Sequence, residues 1–230
     1  KDRSLKNTAA RLSHWDGDCS EKSIEATIFH VFHQCLLKNL LVPDLGLELF
    51  RAYTEIFNQF LVPTDQILKD PRSPWFGPCP RPALVEKSLR ETLEELTQRL
   101  GTDMNQWHWG RLHTLTLRHP FDRSKILAPL FSIGPFPSSG DGVTVNMGFY
   151  RHSNPYKHAV GPSLRMIIDP GDWKRSGFIL PSGQSGDCFS PHFRDQTELW
   201  RSGDYIRLFY DERGMKEWPL LILTPIPIPS

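Results

Sequence analysis

The chain has 230 residues, with 27 Lys plus Arg against 26 Asp plus Glu, so it can bury a substantial core and carries no charge field suited to nucleic acid. Its 20 prolines, 7 tryptophans and 14 phenylalanines describe a loop-rich protein packed by aromatics, not a helical bundle. No apolar run reaches the length that spans a bilayer, and the opening Lys1-Asp2-Arg3-Ser4-Leu5 has neither a signal-peptide stretch nor an initiator methionine, so we expect a chain cut from a longer one. Cys19, Cys35, Cys79 and Cys188 form no C-x-x-C pair. Four cysteines allow three pairings and the spacing selects none, so free thiols and two disulfides both stand.

Taken in order, Leu5, Ala9 and Leu12 recur at helical spacing and stop before Asp16-Gly17-Asp18. Ser20 offers an N-cap to a second helix with Ile24, Ile28, Val31, Phe32, Cys35 and Leu36 on one face, running until shortly before Pro43. His30 and His33 lie on it at i, i+3, but no third ligand has supporting spacing, so no metal site is assigned. A third helix is expected over Leu47, Phe50, Tyr53, Phe57 and Leu61, closing at Pro63. A proline-rich loop with Trp75, Phe76 and Cys79 follows. Pro82 then opens the clearest helix, with Val85, Leu89, Leu93, Leu96 and Leu100 in phase, Glu86/Arg90 and Glu95/Arg99 on its solvated face, and Gly101 at its end. Beyond Gly101 helical periodicity gives way to short apolar or alternating segments at 112–117, 143–149, 163–168, 176–180, 205–209 and 220–223, read as strands, before the extended Pro225-Ile226-Pro227-Ile228-Pro229. The expected class is α+β, with a helical region over 1–101 and a strand-rich, mainly antiparallel region over 102–230.

The densest polar stretch is Gly183-Gln184-Ser185-Gly186-Asp187, continuing through Ser190-Pro191-His192 to Asp195-Gln196 and Trp200. A Ser185/His192/Asp195 hydrolase is one reading. It lacks the G-x-S-x-G elbow, since Asp187 stands where the last glycine should be, and triad members are recognised by geometry, not by closeness in sequence. A polar loop that hydrogen-bonds its own backbone is the competing reading.

An ordered set of phrases runs through the second half: Trp107-His108-Trp109-Gly110 and His113, His119-Pro120-Phe121, Gly134-Pro135-Phe136-Pro137, Gly140-Asp141-Gly142-Val143-Thr144-Val145-Asn146, Gly161-Pro162-Ser163-Leu164-Arg165 to Asp169, and the 183–200 loop. With Trp15-Asp16-Gly17 ahead of them, they resemble the C-terminal part of the β subunit of the penicillin acylase family, N-terminal nucleophile hydrolases that include the acyl-homoserine lactone acylases. The resemblance implies an αββα sandwich of which this chain is a part. It also implies a precursor cut into α and β chains, an N-terminal serine of β that attacks an acyl amide with its own amine as base, and an oxyanion hole that includes an asparagine. The chain begins at Lys1, and the family segments bearing that serine and asparagine precede the Trp-Asp-Gly phrase, so no catalytic residue is assigned here. Ser4 is no substitute, and Asn146 lies in a different motif.

Within that frame His113, Asn146, Arg165, Asp169, Gln184, Ser185, His192, Asp195 and Gln196 are expected to support an active site from behind. Arg165 should pair with Asp169 or Asp195, since an unpaired buried charge is costly. His113 and His192 are either acid–base helpers near the absent nucleophile or packed hydrogen-bond donors. Trp107, Trp109 and Trp200 are core aromatics first and walls of an acyl pocket second. The expected partners are the rest of the β subunit, the α subunit and a small-molecule acyl amide, with no cofactor, no metal and no nucleic acid. The family points to the periplasm or secretion. A non-catalytic interaction module on the same scaffold is the alternative, and exposed apolar sheet edges should make the isolated chain self-associate.

Overall fold

The computed structural model describes residues 2–55 and 61–208, so the expected strand at 220–223 and the proline tail lie outside the described residues. Contacts divide the chain into a unit over Lys1–Pro162 and a second over Ser163–Ser230. The α+β expectation holds, with long helices up to Leu100 and short antiparallel pairings after it.

In the first unit α1 (Asp2–Ser13) buries Leu5 and Thr8 while Ala9 is exposed, because the Thr8 hydroxyl donates to the Ser4 carbonyl and can enter the core satisfied. Helix α2 (Ile24–Thr54) is capped by Ser23, whose Oγ accepts from the Ala26 amide at 3.1 Å, and not by Ser20. Residues 20–23 form a turn closed by the Ser23 amide on the Ser20 carbonyl, so the helix and its cap start three residues later. Nor does α2 stop before Pro43. Proline removes one helical bond and bends the helix, whereas the break comes at Gly46, where φ 70° and ψ 168° suit glycine. Of the expected third helix, Phe57 lies outside the described residues. Leu47–Thr54 continues α2 beyond that kink, and α3 (Leu61–Lys69) contains Pro63 in its first turn.

Helix α4 (Arg81–Leu100) has Pro82 in its first turn and ends at Gly101 with φ 94°. It packs on α2, and two apolar clusters result. One joins Ala26, Ile28, Val31, Leu96, Trp107, Trp109, Tyr150 and Tyr156. The other joins Leu36, Leu37, Leu40, Leu41, Phe76 and Leu84, with Phe76 supplied by the proline-rich loop. Glu86/Arg90 and Glu95/Arg99 pair at 2.6 and 2.8 Å on the exposed face, where such pairs contribute tenths of a kcal/mol.

After the single turn α5 (Trp109–Leu112), β1 (Thr114–Leu117) pairs antiparallel with β2 (Ile133–Pro137), and the short α6 (Ala128–Phe131) lies between them in sequence. The segments expected as strands do not include β2, which carries two prolines; a strand with one partner needs only one set of amides and tolerates them. Conversely, 143–148 is not a strand. The Asp141 carboxylate accepts from the Val143 and Thr144 amides, both at 2.8 Å, and folds the segment into a turn that leaves Val143 and Val145 exposed. Only β3 (Phe149–Tyr150) remains extended, paired with β4 (His158–Val160). Among the described residues no helix is long and apolar enough to cross a membrane.

In the second unit β5 (Arg165–Ile167), β6 (Gly177–Ile179) and β7 (Ile206–Arg207) form an antiparallel sheet in that order. The short helix α7 (Thr197–Ser202) carries buried Trp200. Leu164, Met166, Ile167 and Ile168 are exposed along β5 and its flanks.

Candidate functional site

The centre of the first unit is a column of rings. The Trp109 and Gly110 amides donate to the carbonyls of Ser23 and Glu21 at 3.0 and 2.8 Å, which fixes α5 against the start of α2. Gly110 is required for that approach, since a β-carbon there would lie 2.7 Å from Cβ of Pro137. Trp109 and His113, four residues apart, then stack with centroids 4.6 Å apart and planes at 9°. His30 from α2 covers the other indole face at 4.4 Å, and His158 from β4 covers His113 at 5.0 Å. The Trp109 indole N–H donates to the Gly140 carbonyl at 2.9 Å. Nδ1 of His113 lies 2.6 Å from the Tyr156 carbonyl, so Nδ1 carries the proton. Tyr156 has φ 73°, a left-handed conformation uncommon for a tyrosine. Its carbonyl meets His113 while its hydroxyl donates to Glu95 at 3.1 Å.

Asp141 and Cys19 stand beside this column. The second carboxylate oxygen of Asp141 lies 3.5 Å from Nε2 of His30, whose Nδ1 is 3.2 Å from the Tyr150 hydroxyl. Burial holds His30 down at about 4 against the pull of Asp141, and holds His113 at about 3 against its bond to the Tyr156 carbonyl. Burial, with Asp141 next, pushes the Cys19 thiol up to about 12. At neutral pH the histidines are uncharged and the cysteine is a thiol, so the cluster supplies no ready nucleophile or base and works as a rigid support. All four cysteines are free.

The 183–200 loop belongs to the second unit and is tied mainly to itself. The Gly183 and Ser185 amides donate to the carbonyls of Phe193 and His192 at 2.9 and 3.0 Å. The Ser185 hydroxyl accepts from the Asp187 amide at 3.1 Å, while the exposed His192 ring contacts Asp195 at 2.8 Å. Thus no strand-to-helix elbow presents Ser185, and its turn engages the backbone of His192, not its imidazole. The Gln196 side-chain oxygen accepts from the Leu180 amide at 3.1 Å, whereas Gln184 is exposed.

The expected pairing of Arg165 with Asp169 or Asp195 is corrected. Asp169 accepts from the Gly171 and Asp172 amides and lies 3.5 Å from Arg175, and Asp195 holds His192. The Arg165 guanidinium instead donates to the Trp200 carbonyl at 2.6 Å and lies 4.2 Å over the Trp200 ring, where carbonyl and π-face share the charge. Gly183 permits the whole arrangement, because a β-carbon there would overlap the carbonyl of His192. Gly183→Ala is expected to destabilise this unit by about 1–3 kcal/mol through overpacking. Gly186→Ala, with nothing within 4 Å, should be close to neutral. Urea unfolding of the two variants, compared with the parent chain, reads the difference.

Of the nine residues expected from sequence, His113 and Asn146 fall in the first unit and the other seven in the second. Asn146 closes the Asp141 turn, its carbonyl accepting from the Thr144 hydroxyl at 3.1 Å. Sequence reasoning missed Cys19, His30, Asp141 and Tyr150 as a group. They come from four segments, and no local spacing marks them as neighbours.

Comparison with known proteins follows the same lines. The Penicillin amidase family model matches residues 1–217. The acyl-homoserine lactone acylase QuiP of Pseudomonas aeruginosa is 28% identical over 230 residues, covering 89% of this chain and 27% of its own length. The Penicillin acylase 2 proenzyme of Pseudomonas sp. strain SE83 is 29% identical over 126 residues, covering 54% and 16%. A solved thermostable penicillin G acylase from Alcaligenes faecalis aligns with TM-score 0.50 at 16% identity, over 97% of this chain and 43% of its own. At that identity the likeness speaks to fold alone. The chain spans about a quarter of the length of the acyl-homoserine lactone acylases it matches.

Proposed function

The chain belongs to the penicillin amidase family, and from that premise we propose that it is the C-terminal portion of the β subunit of an acyl-amide hydrolase. The nucleophile of that enzyme is an N-terminal serine outside this chain, whose hydroxyl attacks the amide carbonyl with its own amine as base. The substrate is an acyl amide of the β-lactam side-chain or acyl-homoserine lactone type. The partners are the remainder of the β subunit and the α subunit, and the assembled enzyme works in the periplasm or after secretion.

One observation carries this reading: the residues of the family phrases in the first unit, Trp109, His113 and Asp141, are buried, each is hydrogen-bonded to its neighbours, and Trp109 and His113 stack on each other. Such a core holds loops in place and performs no chemistry itself, as expected of the support beneath a site built elsewhere.

A non-catalytic binding module is the second reading, favoured by an apolar cavity of about 610 Å³ in the first unit, lined by Leu41, Leu45, Leu49, Tyr53, Ile67 and Trp75. Mixing the purified chain with the separately produced remainder of its precursor tests both. Release of chromophore from an acyl amide, or of homoserine lactone from its acyl derivative, should appear in the mixture and not with the chain alone. Hydrolysis by the chain alone overturns the proposal. Ligand binding by an inert mixture replaces it with the module reading.

A further inference from the structure

We propose that Cys19, His30 and Asp141 form a binding site for one zinc-class divalent ion. Sγ of Cys19, a ring nitrogen of His30 and a carboxylate oxygen of Asp141 all lie within 4.8 Å of one another, and all three residues are buried. Zinc–ligand bonds of about 2.0–2.3 Å in a tetrahedron put donor atoms roughly 3.3–3.7 Å apart, so the widest pair needs to close by about 1.5 Å at most. His30 and Asp141 already meet that separation at 3.5 Å.

The pointer to a ligand is the ring of His30. Its side chain is 7% exposed, and Nε2 makes no hydrogen bond although it is aimed at Asp141. A buried imidazole nitrogen without a partner costs free energy, which a metal bond would recover. Its other nitrogen already faces the Tyr150 hydroxyl, as a zinc-binding histidine's does, and Trp109 fixes the ring plane. Asp141 is prepared in the same way. Its Oδ1 is occupied by the Val143 and Thr144 amides, which leaves Oδ2 directed at the cluster.

The donor set of one sulfur, one imidazole and one carboxylate suits Zn²⁺ or Co²⁺ and is too soft for Mg²⁺ or Ca²⁺. Three protein ligands leave a fourth position. Binding converts the Cys19 thiol to a metal thiolate and releases its proton to solvent, so affinity rises with pH. The ion would tie the segment before α2, α2 itself and the 138–148 loop together, and its binding free energy would add to the stability of the first unit. This inference stands apart from the acylase reading, since a chain that hydrolyses nothing can still bind the ion.

The test is a cobalt(II) titration of the whole chain after dialysis against a chelator, followed through the near-ultraviolet sulfur-to-cobalt charge-transfer band. Zinc is then added in competition. One equivalent should saturate the band, with one proton released per ion, and zinc should abolish it. Cys19→Ser should lose the band and Cys35→Ser, with an equally buried thiol, should keep it, both at unchanged far-ultraviolet circular dichroism. Tyr150→Phe, which removes the hydroxyl behind His30 and keeps the ring, should weaken zinc binding by about 10–100-fold. Absence of the band in the parent chain overturns the proposal, as does a band that survives Cys19→Ser. Zinc uptake without a thiolate signature does the same, since it would place the ion elsewhere.

Discussion

Trp109→Ala is expected to lower the stability of the first unit by about 3–5 kcal/mol. The indole is fully buried and lies between His30 and His113, with centroids at 4.4 and 4.6 Å. Its removal opens a cavity in the middle of a column whose other members are held by separate bonds and cannot slide together to fill it. The Gly140 carbonyl also loses its 2.9 Å donor. An unsatisfied buried carbonyl adds about 1–3 kcal/mol, so the upper part of the range is favoured. Trp109→Phe keeps a ring in the stack and should lose roughly half as much. Trp173, 50% exposed in the second unit, is the comparison, and its alanine variant should cost less than half as much, since half of its surface already lies in water. Urea midpoints followed by circular dichroism measure the series. A Trp109→Ala midpoint equal to that of Trp173→Ala would refute the central role of the column.

The second large effect is acid lability. His30 and His113 are held at about 4 and about 3 by burial, against an ordinary value of 6.5. Above pH 6.5 each is neutral in both folded and unfolded states, and the full stability is present. As pH falls below 6.5 the unfolded chain takes up protons that the native core refuses, so stability declines until the folded values are reached. The slope is about 1.4 kcal/mol per pH unit for each such histidine. His33 and His152 are lowered in the same direction by burial, to about 4 and about 3, but are only partly buried and should add less. Asp141 and the Tyr156 carbonyl oppose the trend, favouring protonated His30 and His113 respectively. Burial outweighs both. Thermal midpoints should therefore drop steeply between pH 6.5 and pH 4. His113→Gln, which cannot titrate, should flatten the slope by about one proton's worth while lowering the midpoint at pH 7. A slope unchanged in that variant would mean that His113 is protonated in the native core.

Much of this was legible in the chain itself. The helix ending at Gly101, the change from helix to strand after it, and the ordered phrases that carry the family likeness depend on local periodicity and short motifs. The errors were also local in origin. The cap falls at Ser23 and not at Ser20 because a turn over residues 20–23 precedes the helix, and nothing in the sequence marks that turn. A break was assigned to Pro43 although the backbone turns three residues later, at Gly46. The segment at 143–149 alternates as a strand should, yet one carboxylate that captures two amides folds most of it into a turn.

What the sequence determined by itself is therefore the class of the fold and its family, because both are written in contiguous residues whose spacing has direct physical meaning. What only the tertiary structure decided is which polar residues share a site. Cys19, His30, Asp141 and Tyr150 have no common spacing, and nothing local marks them as neighbours. They meet because α2 packs beside the turn of Trp109, and the 138–148 loop is tied over it by the Trp109 indole N–H on the Gly140 carbonyl, the Gly140 amide on the Cys19 carbonyl and the Ser138 amide on the His113 carbonyl. The 183–200 loop, the most suggestive stretch in the sequence, proves to be occupied chiefly with its own backbone.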